Sequence, residues 1–173
     1  MYPGGIVIKS QPTLSTDAYG AADLLFTKQE LVGAVPSRGG ISLLRNIFLH
    51  ADVSGDYEIF VLFFNNSTDL KDSGGDVVAA NEALTEITDE HFQAAGFIGA
   101  VGLDKGENSI SIGNGIVYAS PSGHAAASHE GLPMVLQGGE GSQSVWYVAG
   151  TYGGTPTYAA DSLTFSFNIQ YLG

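Results

Sequence analysis

The segment from Leu163 to Tyr171 constrains the fold more than any other part of the sequence, because apolar and polar residues alternate in it without a break. A period of two puts the first set on one face of a strand and the second set on the other: Leu163, Phe165, Phe167, Ile169 and Tyr171 against Thr164, Ser166, Asn168 and Gln170. The pattern predicts a strand that is buried on one side.

Residues 57–64 form a different kind of segment, because they are apolar on both faces. They predict a strand covered on both sides, with one face on a second sheet and the other under a neighbouring segment or another subunit. Residues 41–49 read as the preceding strand, and the turn-rich connection 51–56 predicts that the two form a hairpin. Shorter strands are predicted at residues 6–9, 24–27, 97–103, 109–112, 115–120, 134–137 and 145–149, with a tight-turn signal at 112–116.

One stretch is predicted to be helical. Leu84, Ile87 and Phe92 fall near helical spacing between residues 79 and 95, and Thr88 is suited to cap a short helix. Glu82 and Glu86 would then lie on the exposed side of this helix.

The arrangement of many short strands separated by turns predicts an all-β fold. We expect a single antiparallel β-sandwich, jelly-roll-like, with one short helix and long Gly-rich loops, the longest at residues 120–144. Residues 23–173 would form this domain, and residues 1–22 an N-terminal arm or a first edge strand.

The composition agrees with strands and turns rather than long helices. Only 14% of the residues are charged, 24 are glycine, and there is no cysteine, whereas a typical globular domain has about 25% charged residues. The absence of cysteine excludes disulfides and cysteine nucleophiles. The net charge of -12 disfavours nucleic acid as a partner, since it repels phosphate backbones.

The distribution of charge along the chain is uneven. Residues 1–64 hold four basic and six acidic side chains, and residues 65–173 hold two and twelve. If one side of the domain is docked, the later loops are expected to face outward. No apolar run is long enough to span a membrane, and no signal peptide is expected at the N-terminus.

Two clusters resemble metal sites only superficially. Residues 52–58 place alternating polar oxygens as a calcium loop does, but the glycine is at the fourth position and no acid closes the loop at the twelfth. His124, His129 and Glu130 contain zinc-binding residue types at a spacing that fits no helical zinc motif. We therefore interpret both segments as solvated turns, and predict no metal and no cofactor.

Catalytic signatures are also missing from the sequence. Residues 139–144 do not form a Gly-x-Ser-x-Gly nucleophile elbow, and no glycine-rich nucleotide-binding motif follows a strand. Paired carboxylates such as Asp89 and Glu90 are plentiful in the sequence, and a glycosidase needs one such pair in a cleft that is often lined by aromatic residues. The sequence predicts no catalytic residue.

Several stretches together resemble a known group of proteins. Residues 23–27 (DLLFT), 33–40 (GAVPSRGG) and 43–45 (LLR) lead through an acidic turn to residues 59–64 (IFVLFF). Near the end, VWYVA and TPTY precede the alternating strand. This layout resembles the small structural proteins of tailed phages, some of which are capsid decoration (cement) proteins.

The resemblance implies a virion protein without enzymatic activity. It would be made in the host cytoplasm and bind, as a homotrimer, the outer surface formed by the major capsid protein. The N-terminal segment and the strongly apolar strands would then supply contacts to subunits or to the shell. The interface candidates are Tyr2, Ile6, Ile8, Phe60, Leu62, Phe64, Trp146 and Tyr147.

Three alternatives remain open at this point. A phage tail-fibre or receptor- or carbohydrate-binding module would expose Tyr118, Tyr152 and Tyr158 on one set of loops. The second alternative is an enzyme, such as a small glycosidase or a cupin-type metalloprotein on a jelly roll. A cupin would need several inward-facing histidines, of which only His50 is expected on a strand. A cellular adhesion module is disfavoured because no signal peptide is expected.

Overall fold

The computed structural model describes residues 4–51, 58–84, 87–103, 109–112, 115–119, 132–151 and 153–172, with the backbone alone described for 109–112 and 115–119. Ten strands and one helix lie in these ranges. They are β1 (Gly5–Ser10), β2 (Gln29–Leu31), β3 (Ile41–Ala51), β4 (Ile59–Phe64), α1 (Asp89–Ala94), β5 (Phe97–Leu103), β6 (Ser109–Ile112), β7 (Gly115–Ala119), β8 (Met134–Gln137), β9 (Val145–Thr151) and β10 (Leu163–Tyr171).

The strands form two sheets that pack face to face. A six-stranded sheet has the order β1-β10-β3-β7-β6, with β8 paired to β3 as well, and a four-stranded sheet has the order β2-β9-β4-β5. All pairings are antiparallel. The prediction of an all-β sandwich with one short helix is therefore confirmed.

The pairings are nested along the chain. β1 pairs with β10, β2 with β9, β3 with β8, and β4 with β5. The first four strands alternate between the two sheets. This is the winding that results when one long hairpin is rolled up, as in a jelly roll. The β6–β7 hairpin, predicted from its glycine-rich turn, is added beside β3.

The predicted hairpin between residues 41–49 and 57–64 is wrong. β3 lies in the six-stranded sheet and β4 in the four-stranded sheet, so the connection between them crosses from one layer to the other. A turn-rich connection is equally compatible with a hairpin and with a crossover, and the pairing partners of β3 lie far away in the sequence. The connecting residues 52–57 lie outside the described residues.

The core between the sheets is built from the inward-facing half of each strand. In β10 the alternation predicted from sequence appears as alternating burial from Leu163 to Gln170, and Tyr171 at the end of the strand is half-buried against the core. Phe167 contacts both Phe63 and Tyr147 across the two layers, with ring centroids 5.9 and 4.8 Å apart. Each fully buried aromatic or leucine side chain contributes about 2 kcal/mol of transfer free energy.

Residues 4–22 belong to the sandwich. β1 is an edge strand that pairs with β10, and its Ile6 and Ile8 face the core. Beyond β1, Leu14 and Tyr19 are buried in the core, and the Tyr19 hydroxyl donates to the carbonyl oxygen of Leu25 at 3.1 Å. Of the two alternatives for this segment, the structure has an edge strand followed by core residues.

The region after β4 folds into a layer that covers the outside of the four-stranded sheet. We call residues 65–84 and 87–96 the outer layer. Its apolar side chains include Leu70, Val78 and Phe92, which pack in a second hydrophobic cluster with Leu62 and Phe64 of β4. The second apolar face of β4 is therefore covered by a neighbouring segment of the same chain, one of the two possibilities that the sequence left open.

Lys28 ties the outer layer to the sandwich. Its Nζ donates to the carbonyl oxygens of Asn66, Thr68 and Ala95, and it lies 4.1 Å from the centroid of the Phe64 ring. Burial lowers the pKa of Lys28 to about 8, and the Asp69 carboxylate opposes this shift. Three carbonyl oxygens and an aromatic face replace part of the hydration that the ammonium loses.

The short helix lies within the outer layer. α1 spans Asp89–Ala94, and the Thr88 side chain accepts a hydrogen bond from the His91 N–H at 3.3 Å, as predicted for a cap. Glu82 does not lie on the helix as predicted: its carboxylate accepts from the Ala79 N–H at 2.7 Å in the preceding turn. Glu86 lies outside the described residues.

The strand predicted at residues 24–27 is not formed. Leu24 makes a single bridge with Gly150, and the neighbouring β-strand begins only at Gln29. Leu24 packs in the cluster under the outer layer, whereas Leu25 and Phe26 pack in the main core. The segment is apolar because it is buried between two clusters, which periodicity alone does not distinguish from a strand.

Candidate docking surface

The outward surface of the six-stranded sheet is exposed over its described strands. We call it the open face, because the outer layer covers the other sheet and no described segment packs over this one. The registers of β1, β10, β3 and β8 define its described side chains. They are Val7, Lys9, Ile41, Leu43, Arg45, Asn46, Phe48, His50, Val135, Gln137, Thr164, Ser166, Asn168 and Gln170.

Exposed apolar side chains concentrate on the open face. Seven large hydrophobic side chains are exposed among the described residues, and four of them are here: Val7, Ile41, Phe48 and Val135. The other three, Val32, Val77 and Phe97, are scattered over a turn, the outer layer and β5. Single exposed hydrophobic residues are ordinary, but several on one surface are typical of an interaction site.

The open face also differs in charge from the rest of the molecule. The six strands of this sheet contain no aspartate or glutamate, although the chain has 18 acidic residues and a net charge of -12. The charged side chains on the open face are the cations Lys9 and Arg45, both exposed. By contrast, Asp69, Asp76 and Glu82 are exposed on the outer layer, on the opposite side of the sandwich.

A β-bulge interrupts the open face in the middle of β3. The pairing with β10 shifts there, so that Asn168 opposes Asn46 and Ile169 opposes Leu44, leaving Arg45 without a counterpart. Leu44 and Ile47 are both buried in the core. Arg45 and Asn46, which lie between them, therefore both point away from the core. A bulge of this kind redirects a side chain away from the regular pleat.

A shallow depression lies beside the bulge. It has a volume of about 330 Å³ and is lined by β1, β10 and the bulge, with Gly5, Val7, Arg45, Asn168 and Gln170 among its residues. The Asn168 side-chain amide donates to Oδ1 of Asn46, which holds both amides in place. The depression thus combines one guanidinium, side-chain amides and an apolar wall.

The predicted interface residues fall into three groups. Leu62, Phe64 and Tyr147 are buried within the chain itself, so they offer no surface to a partner; Leu62 and Phe64 are under the outer layer and Tyr147 is in the core. Ile6, Ile8, Phe60 and Trp146 are half-buried and pack against the two hydrophobic clusters. Tyr2 lies outside the described residues. For Leu62, Phe64 and Tyr147, the prediction assigned to a partner an apolar surface that the chain itself covers. For the other residues the interface role stays a prediction.

The residues considered for other functions are dispersed. His50 is exposed on the open face rather than inside the sandwich, so it does not supply the inward histidine of a cupin. Tyr158 is buried and cannot serve on a binding loop. His124, His129, Glu130, Tyr152 and the turn 52–57 lie outside the described residues, and the side chain of Tyr118 is not described.

Within the described ranges, no three His, Asp or Glu side chains come together as metal ligands would. No helix in the described part of the chain has the length and apolar character that a membrane crossing requires. Comparison with protein-family models, with curated proteins and with solved structures found no match.

Proposed function

We propose that this protein is a virion structural protein, a capsid decoration (cement) protein that binds the outer surface of an assembled phage head. In this proposal the open face docks on the major capsid protein, and the acidic outer layer faces the solvent. The observation that carries the proposal is the character of the open face: four exposed apolar side chains and no carboxylate on its strands, in a chain of net charge -12.

The physical action of such a protein requires no chemistry. A protein that binds the assembled shell and not the free subunits stabilises the shell by mass action. A homotrimer would engage three sites at once, so a modest affinity of each open face becomes a strong attachment through avidity. The acidic outer layer would keep the surface of the particle negatively charged and soluble.

The proposal is tested with heads assembled by the encoding phage without this protein. Purified protein is added, the heads are sedimented, and the bound fraction is measured. We expect the wild type to co-sediment up to a fixed number of sites. Protein that stays in the supernatant at micromolar concentration would contradict the decoration function, and binding to tails alone would favour the fibre or receptor-binding alternative.

A pair of matched variants tests the role of the open face. Val135→Asp puts a carboxylate on the open face, and Val32→Asp puts one at a comparably exposed valine elsewhere, the two side chains being 51% and 69% exposed. We expect Val135→Asp to weaken binding about tenfold or more, because a charge is desolvated at the contact. Val32→Asp should bind as the wild type does. Equal binding by both variants would exclude the open face as the docking surface.

A further inference from the structure

The bulge in β3 gives Arg45 a position that a regular strand would not. Because the register slips at this residue, Arg45 has no counterpart on β10, and its side chain is exposed at the rim of the depression. No described carboxylate lies within ion-pair distance of it. In a strand with regular alternation, the side chain at this position would point either into the core or outward in register with the other outward side chains.

A glycine of β1 lies among the residues that line the depression. Gly5 pairs with Gln170 in the register of the open face, and it lines the depression together with Val7. A Cβ added at Gly5 would meet only the Ile169 carbonyl oxygen, at 3.5 Å, which is an ordinary van der Waals contact. The backbone therefore has room for a Cβ at this position, and a side chain placed here would reduce the volume of the depression.

The polar groups around the depression are hydrogen-bond donors suited to an anion. A guanidinium presents a planar pair of N–H groups that matches the two oxygens of a carboxylate. The Gln170 side chain adds a carboxamide at the same rim. Lys9, the second cation of the open face, lies opposite Ser166 in the strand register, beyond Val7 from Gly5. Arg45 is therefore the cation that lines the depression.

From this arrangement we infer that the depression is a socket for a carboxylate of the shell protein, an Asp or Glu side chain held by Arg45. The inference rests on the proposed docking of the open face and names the chemistry of the partner at one point of it. A carboxylate is favoured over a phosphate backbone, since the two cations of the open face are too few to offset a net charge of -12. Once such a pair is buried in the contact, removing one partner leaves the other charge unpaired and weakens binding.

The first experiment compares variants in the head-binding assay. Arg45→Gln removes the positive charge and the pair of guanidinium N–H groups, and Gly5→Val places a side chain in the depression. Lys9→Gln, which removes the other cation of the open face, is the control. We expect the first two to weaken binding about tenfold or more and Lys9→Gln to weaken it less than threefold. Urea unfolding of each variant checks that the fold is intact. If Arg45→Gln binds normally while Val135→Asp does not, the proposed carboxylate site at Arg45 is wrong, whereas docking through the open face is still supported.

A second experiment identifies the group in the socket. Arg45→Lys keeps the charge and introduces an amine, which a carbodiimide couples to a carboxylate in direct contact. Mass spectrometry should find position 45 joined to one Asp or Glu of the shell protein. Coupling to another copy of this chain, or release of Arg45→Gln from a homo-oligomer, would mean that a sister subunit occupies the depression and would overturn the inference. Absence of wild-type binding to heads would overturn both this inference and the decoration function.

Discussion

Gly150 of β9 is a residue at which the chain is packed closely from two directions. A Cβ at this position would meet the Phe60 ring and also the Asp23 carbonyl oxygen, the latter at 2.8 Å. The contact with Asp23 arises because residues 23–24 bridge to β9. An aromatic ring beside a strand glycine compensates for the side chain that the glycine lacks.

Replacement of this glycine should therefore destabilise the protein. We expect Gly150→Ala to lower the free energy of unfolding by about 2 kcal/mol, because the added methyl forces the ring and the bridge apart. Gly5→Ala is the matched control, since its Cβ has room and alanine restricts the unfolded chain. Urea unfolding measures both variants. A loss for Gly5→Ala as large as that for Gly150→Ala would refute the explanation.

Lys28 should give the stability of the protein a characteristic pH dependence. The folded chain releases the Lys28 proton near pH 8, whereas the unfolded chain keeps it until about 10.5. Between these values the unfolded state binds more protons, so the free energy of unfolding contributed by this group rises with pH.

The variant that tests this is Lys28→Met, with Lys71→Met, an exposed lysine of the outer layer, as control. The difference in unfolding free energy between wild type and Lys28→Met should be greater at about pH 9.5 than at about pH 7. Lys71→Met, which replaces an exposed lysine in the same way, gives the effect of the substitution itself at each pH. Urea titrations at the two pH values measure the effect, and a pH-independent difference for Lys28→Met would show that the pKa is not lowered.

Among the elements, the outer layer is the one held by the fewest regular pairings. Its described contacts to the sandwich are mainly one apolar cluster, the hydrogen bonds of Lys28, and the isolated bridge between Asp23 and Ala83 with the backbone hydrogen bonds around it. In the cluster, Phe92 of α1 lies with its ring centroid 4.6 Å from that of Phe97 and 5.8 Å from that of Phe64. Elements of this kind open more easily than central strands.

The variant Phe92→Ala should loosen this layer alone. We expect it to cost about 2 kcal/mol, less than a fully buried phenylalanine because Phe92 is only half-buried. Hydrogen exchange should become faster in residues 65–96, while β10 and β3 stay protected. Gln93→Ala, an exposed position of the same helix, is the control. Faster exchange spread evenly over both sheets would mean that the layer and the sandwich unfold together.

Most elements could be predicted from the sequence, because their apolar periodicity is local. β5, β6, β8 and β10 have the predicted bounds, and the cap of α1 is at the predicted threonine. The pairing partner of each strand was harder to predict from the sequence, because a turn-rich connection does not show whether the chain stays in one sheet or crosses to the other. This is why the β3–β4 hairpin was wrong.

The docking surface was hidden for a different reason. The hydrophobicity of the sequence predicted an interface at the β4 side chains, which the outer layer covers. It did not single out isolated valines such as Val7 and Val135. One signal was present: the alternation of β3 changes phase at Arg45 and Asn46, which indicates a bulge. The absence of acidic residues from six strands could be seen only once the sheet was assembled.

At the scale of the whole molecule, the two outer surfaces of the sandwich have different characters. The open face is partly apolar with two cations, and the opposite surface is an acidic layer. A molecule of this kind approaches a partner in a preferred orientation, since its charges steer it before contact.

The proposed homotrimer can be tested independently of any shell. Light scattering after size exclusion should give three times the mass of the chain, and Val135→Asp should leave this mass unchanged, because the open face is reserved for docking. A monomer at all accessible concentrations would contradict the trimer and remove avidity from the proposal. A trimer that dissociates in Val135→Asp would instead assign the open face to subunit contact.

The nested pairing also affects how the protein folds. Among the ten described strands, β1 is the first and β10 the last along the chain, yet β10 lies between β1 and β3 in the six-stranded sheet. That sheet is therefore completed only when two segments far apart in the sequence meet. Formation of the sandwich depends on this long-range pairing, and its rate is set by the slow meeting of distant segments.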